Sequence, residues 1–400
     1  MFKNINVKKL NKYLAKSITA SLCCFCLSAL SAMSGPMTVD ISYVKLVQPE
    51  QPGVSSLFKK PANSGYLGAK LAINDSNTTG KFLNQHFSIN NFIATNASQF
   101  LGYVNKEYQQ GRHVFIIDAP LAQLVEVDRW AKNKPVLLFN VSESADVLRH
   151  NQCLSSVFHT VPSDAMKSDA LAQWLLYRRM NKVLLIKGNK VEDANLATSF
   201  KRAAKRFGLK VIEEKQWDFN TDLRRSAQQE IPLFTQTLQD YDVVYVADKS
   251  KAFAEFLPFN TYLPRPVIGS AGLEALAWHS VIEQWGATQL QNRFILLANR
   301  KMNERDFAGY LAVRSVAQTV HKIHSNKSKK LIEYINSADF ELAAYKGRKL
   351  SFRPWNLQLR MPLALVQPHA LVSQSPQPGM LHPTTELDTL GYDIQESQCK

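Results

Sequence analysis

The sequence predicts an α/β protein with two doubly wound lobes. Apolar strand-like runs alternate with helical patterns, which implies parallel sheets covered by helices on both faces. The alternation starts afresh after Phe158. The chain of 400 residues is also longer than one ordinary core organises.

The elements follow in order. Ile41–Leu46 reads as a first strand, a Pro-, Gly- and Ser-rich loop spans Pro49–Gly65, and a helix begins over Tyr66–Ile73. Phe87–Ile93 is a strand, Ala97–Tyr108 a helix, and His113–Ile117 a short buried strand ending at Asp118. Leu121–Trp130 is a helix and Pro135–Phe139 the next strand. In the second run Ala170–Arg179 is helical, Lys182–Ile186 is a buried strand, and Asp193–Phe207 an amphipathic helix ended by Gly208. Strands follow at Lys210–Glu214, Tyr241–Ala247 and Pro266–Gly269, then a helix over Tyr310–Ile323 and a last strand over Pro362–Val366. The remainder, with Pro368, Pro376, Pro378 and Pro383, reads as a weakly periodic tail.

The first 34 residues carry five lysines and no acid, then an apolar run from Ile18 to Ala32 closed by small residues. That layout is expected of a secretory signal peptide, and the run is too short and too interrupted for a membrane anchor. Its removal lowers the net charge from +15 to +10. The expected location is periplasmic. Cys153 and Cys399 are the cysteines left after the leader, a disulfide candidate in an oxidising compartment. A basic surface suits an anionic ligand or membrane surface, or is simply solvated.

Several stretches resemble the type I periplasmic binding proteins of the leucine/isoleucine/valine-binding class. Gly68–Asp75 (GAKLAIND) is similar to that family's first helix, Phe139–Ala145 (FNVSESA) to the strand and loop that grip the ligand, and Phe158–Asp164 (FHTVPSD) to the crossing between lobes. Ala197–Leu209, followed by Val211 and Ile212, resembles the next helix and strand. A narrower resemblance lies in Trp285-Gly286-Ala287, in Leu290–Phe294, and in the ending from Pro368 through His382-Pro383 to Leu387–Tyr392. It is to the ABC-transporter substrate-binding protein of pyrroloquinoline-quinone-dependent alcohol dehydrogenase systems.

The resemblance implies two sheet lobes joined by a three-crossover hinge. Lobe I is expected at 35–157 and 266–350, lobe II at 158–265 with its last strand at 351–366, and a tail at 367–400. It implies a receptor that captures a small molecule between the lobes and delivers it to a membrane permease.

Ligands in doubly wound sheets bind beyond the carboxyl ends of the strands. That rule points to the loops starting at Asp118, Asn140, Lys187, Asp248 and Ser270, and the resemblance implies ligand residues at Asp118, Ala119, Ser142, Glu143 and Ser144 in the first lobe, at Lys190 and Asp248 in the second, and in the loop of Ser270 and Gly272. The serine hydroxyls suit a polar ligand group, or cap a helix. Asp118 and Glu143 would repel a ligand carboxylate and put an α-amino acid in doubt; they could instead pair with a cationic group, accept from hydroxyls, or serve as caps on a solvated surface. Trp278, Trp285 and His279 either line the cleft or pack elsewhere.

No catalytic residue, metal site, cofactor or nucleic-acid partner is expected, and a monomer is. The competing class is an interaction protein with a degenerate cleft on the same fold. An enzyme using that cleft is a third.

Overall fold

The protein is described here by a computed structural model covering residues 35–47, 61–218 and 223–399. The expected leader and residues 49–60 of the expected Pro49–Gly65 loop lie outside the described residues.

The first lobe opens with β1 (Met37–Leu46), α1 (Tyr66–Leu83), β2 (Gln85–Ala94), α2 (Ala97–Gln109) and β3 (Val114–Asp118). It continues through α3 (Leu121–Ala131), β4 (Leu137–Asn140), α4 (Val147–His150) and β5 (Val157–His159). The five strands form one sheet in the order β2-β1-β3-β4-β5, with β1, β3, β4 and β5 parallel. Val44, Phe115, Ile117 and Leu138 from its strands meet Phe100, Val104, Leu124 and Val127 from α2 and α3 in a fully buried core.

The second lobe contains α5 (Asp164–Tyr177), β6 (Lys182–Lys187), α6 (Val191–Arg206), β7 (Lys210–Gln216), α7 (Leu223–Phe234), β8 (Val243–Ala247) and β9 (Val267–Gly269). Its sheet is parallel throughout, in the order β7-β6-β8-β9. In each sheet the first strand lies inside the order, so the carboxyl-end crevice opens beside it.

β10 (Glu274–Leu276) then leads to three helices of the first lobe: α8 (Ala287–Ala298), α9 (Glu304–Ile323) and α10 (Ser328–Ile335). α9 lies against α1 because two glycines let the backbones touch. A Cβ at Gly68 would sit 1.8 Å from the Asp306 carbonyl oxygen, and one at Gly309 would sit 2.3 Å from that of Gly65. The chain ends with β11 (Leu342–Ala343), β12 (Lys349–Phe352), β13 (Leu359–Arg360), β14 (Leu363–Gln367) and β15 (Ala370–Ser375).

The pairings move several expected boundaries. Phe158, expected to open lobe II, is in β5 and pairs with Phe139 of the first sheet. Val267–Gly269, expected in the returning first-lobe segment, pairs with β8 of the second sheet. Residues 351–360, expected in the second lobe, adjoin the first: Phe352 packs on Phe139 and Phe158, and Gln358 bridges to His159. The helix expected from Ala170 starts at Asp164, where the Ser163 side chain accepts from the Met166 N–H. The helix expected from Tyr310 starts at Glu304, capped reciprocally by Asn303 and Asp306.

The tail is not aperiodic. β15 pairs antiparallel with β14, β14 pairs with β10, and a short 3-10 helix covers Glu386–Thr389. Beyond it the chain straps the lobes together. Gly391 N–H donates to Asp169 on α5, and Arg202 on α6 donates to the Gly391 carbonyl and to Glu396. The Tyr392 ring stacks on His150 of the first lobe, and Cys399 is disulfide-bonded to Cys153. A weakly hydrophobic segment gains its order here from polar contacts and a covalent tie.

Candidate functional site

Between the carboxyl ends of the two sheets lies a cavity of about 520 Å³. One wall is the loop after β4, with Val141, Ser142 and Ser144, and the start of α9, with Glu304 and Arg305. The other is the start of α5, with Asp164, Lys167 and Leu171, and the ends of β8 and β9, with Asp248, Lys249, Lys251 and Ser270. Trp278 and His279, just after β10, close one end.

Four of the nine expected ligand residues reach this cavity: Ser142, Ser144, Asp248 and Ser270. Ser142 Oγ donates to the Ala119 carbonyl at 3.3 Å, so Ala119 acts through its backbone. Ser144 Oγ accepts from Lys249 Nζ at 2.7 Å, a bond that crosses from one lobe to the other. Asp248 is buried and occupied within its own loop. Its carboxylate accepts the Phe253 and Ala254 N–H groups and the Ser250 hydroxyl, and its own N–H donates to Ser270 Oγ.

The other expected residues support the wall from behind. Asp118 is buried between the Tyr43 hydroxyl and Arg305 Nη1, each at 3.0 Å. Burial, then the Asp118 charge, pushes the Tyr43 phenol well above its usual pKa, so it stays a donor. The Glu143 carboxylate turns back on its own loop and accepts the Ala145 N–H at 2.9 Å. Lys190 precedes α6 and donates to Ser250 Oγ at 3.1 Å. Gly272 holds a turn with φ +72°, where a Cβ would lie 2.1 Å from the Val267 carbonyl oxygen. Trp278 is buried, stacked on Phe307, with its Nε1–H donated to Gln291. Trp285 is 45 % exposed and lies over Gly347, away from the cavity.

The charged residues that face the cavity most directly were missed. Lys249 Nζ lies 2.5 Å from Asp164 Oδ1, and Lys167 Nζ lies 2.5 Å from Glu304 Oε2. Lys251 pairs with Glu274 at 2.7 Å and Glu255 at 3.0 Å. Burial works to lower the Lys249 pKa, but the Asp164 charge and hydrogen bond outweigh it, so the ammonium stays protonated. Burial, helped by Lys301, holds the His279 imidazole below its ordinary pKa. Two signals were readable. Lys249 follows Asp248, already a candidate, and the Asn303-x-x-Asp306 spacing marks a helix start that places Arg305 in the first turn.

Among the described residues no group of His, Cys, Asp and Glu could hold a metal ion. No protein-family model matches the chain, and no curated protein matches it in sequence. Solved structures do match. A branched-chain amino acid ABC-transporter periplasmic ligand-binding protein from Burkholderia xenovorans superposes with TM-score 0.67 over 84 % of this chain and 95 % of its own, at 14 % identity.

The chain has the type I periplasmic-binding-protein fold. A leucine-, isoleucine-, valine-, threonine- and alanine-binding protein from Brucella ovis gives TM-score 0.63 over 83 % of this chain and 89 % of its own, at 13 % identity. An ABC-transporter solute-binding protein of R. palustris in complex with benzoate gives 0.60 over 83 % and 92 %, also at 13 %. Identities this low carry the fold alone, and the cleft is read from its own residues.

Proposed function

We propose that this protein is an extracytoplasmic solute receptor, capturing a small molecule between its lobes and passing it to an ABC-transporter permease. One observation carries the reading: the cavity lies beyond the carboxyl ends of both parallel sheets and is walled by both lobes. A ligand there would touch both lobes and so favour their closed arrangement. The fold is shared with periplasmic binding proteins for amino acids and for benzoate. The receptor acts as a monomer, without catalysis or cofactor, after loss of the leader. Ser142 and Ser144 contribute ligand contacts, while Asp118, Ala119 and Glu143 support the first-lobe wall and Lys190, Asp248, Ser270 and Gly272 hold the second-lobe loops opposite.

The finer assignment, to a system of pyrroloquinoline-quinone-dependent alcohol oxidation, rests on the residues around Trp285–Phe294 and Pro368–Tyr392 and on nothing else. Native mass spectrometry of the exported protein, followed by a thermal-shift screen of small solutes, tests the receptor reading. A co-purifying or stabilising small molecule is expected. A broad screen without one, together with a stable protein partner, would favour the interaction-protein class instead.

A further inference from the structure

The polar groups of the cleft are unevenly committed, and this bears on what enters it. Four carboxylates line the wall, and each already has a partner. Asp164 holds Lys249, Glu274 holds Lys251, and Glu304 holds Lys167 and the Ala277 N–H. Asp248 holds two backbone N–H groups and a hydroxyl.

The cations differ. Arg305 uses Nη1 on Asp118, and among the described residues nothing engages its Nε or Nη2. Lys301 is exposed at the rim, and its ammonium has no ion pair or hydrogen bond among the described residues. Lys249 uses two of its three N–H donors, on Ser144 and Asp164. The remaining wall includes apolar Val141, Val161, Leu171, Leu196, Leu276 and Met302.

We propose that the cleft selects an organic acid that carries no amino group, its carboxylate received by the open donors of Arg305, Lys301 and Lys249 and its apolar body by the aliphatic wall. The proposal rests on the receptor reading and names its substrate class. A guanidinium with open donors suits a carboxylate. An ammonium on the ligand would have to share a carboxylate with one of the chain's own lysines and meet that lysine's charge at close range. Lys249, bonded to Ser144 and Asp164, already stands where an amino acid's ammonium would seek the hydroxyl and carboxylate. An amino acid therefore meets like-charge repulsion at its ammonium end.

Titration calorimetry on the mature, disulfide-intact protein tests this with matched pairs: ketoisocaproate against leucine, phenylpyruvate against phenylalanine, and benzoate against benzylamine, with the corresponding alcohols as uncharged controls. The acid lacking an amino group should bind at least about tenfold more tightly than its partner, the scale of one charge-assisted hydrogen bond. Lys301→Gln, at an exposed position, should weaken that binding severalfold without changing the melting temperature. Arg305→Lys keeps a charge beside Asp118 but loses the fork, and should weaken it further.

Equal or tighter binding of the amino acid, amine or alcohol overturns the proposal and leaves the receptor reading standing. Failure of every class to bind overturns both. Acid binding unchanged in both variants shows that the carboxylate sits elsewhere, and also overturns the proposal.

Discussion

In the 3-10 helix of the tail, Asp388 is fully buried and receives Arg353 at 2.7 Å and Arg360 at 2.8 Å, both also buried. Across the cleft, Lys249 makes contacts just as short with Asp164 and Ser144, yet its side chain is 29 % exposed and its hydroxyl partner belongs to the other lobe. Similar chemistry has different consequences because the surroundings differ. Beside the Asp388 cluster Arg149 donates to Gln358 and to the Ala145 and Glu143 carbonyls, and Gln358 donates to the His159 and Val161 carbonyls. Removing one partner from such a seam strands a buried polar group. In the cleft a lost partner can be replaced by water or by a ligand. The seam should govern stability, and the cleft should govern selectivity.

The largest expected effect is at the strap. Cys399→Ser opens a covalent loop with a sequence separation of 246 residues. In the chain-entropy picture that costs on the order of 5 kcal/mol, to be read by denaturant unfolding of unreduced protein. A loss confined to a few tenths would show that the polar contacts of Gly391 and Glu396 hold the strap alone.

Next comes Asp388→Ala, which leaves two guanidinium groups without their carboxylate. It should destabilise by about 3–5 kcal/mol while leaving the affinity of the remaining folded protein unchanged. A change in affinity with little change in unfolding midpoint would break the division between seam and cleft.

Asp146 lies where the two regions meet, accepting the Ala165 N–H and the Ser199 hydroxyl from the second lobe. Burial, then the Asp164 charge, raises its carboxyl from the ordinary 3.8 to about 6. A folded pKa above the unfolded one means a contribution that is full below pH 3.8 and lost as pH rises through about 6. Asp146→Asn should therefore remove a stability slope of about 1–3 kcal/mol between those limits, measured by unfolding across pH. An unchanged slope would assign it to other groups.

The smallest stability effect is expected for Ser142→Ala and Ser144→Ala, about 0.5–1.5 kcal/mol each, since each hydroxyl makes one modest intramolecular bond. Their expected effect on ligand affinity is larger, roughly one to two powers of ten for a charged ligand group. Unchanged affinity in the double variant would remove these serines from the site.

The parallel sheets were legible because their strands are buried on both faces and read as unbroken apolar runs, as in Phe115–Ile117 and Val183–Ile186. The loops after those strands were legible for the same reason, and four of the nine expected ligand residues do face the cavity. Less legible were short elements that owe their order to partners far away in the chain. β10 and β15 flank β14, although β10 precedes it by almost ninety residues. The first turn of α9 was missed because it is polar, with Glu304, Arg305 and Asp306, and an apolar stripe cannot mark it.

The sequence by itself determined the two-lobed α/β fold class and marked as a disulfide candidate the pair Cys153 and Cys399 that the structure joins. These depend on local periodicity, on strand burial and on Cys153 and Cys399 being the two cysteines outside the expected leader. Tertiary structure alone decided which charges are committed. Asp118, a candidate ligand contact in the sequence, is held behind the wall by Arg305, and Lys249 reaches across to Ser144. A carboxylate or ammonium has no role until its partners are known. Those partners lie 187 and 105 residues away, beyond the reach of any spacing rule.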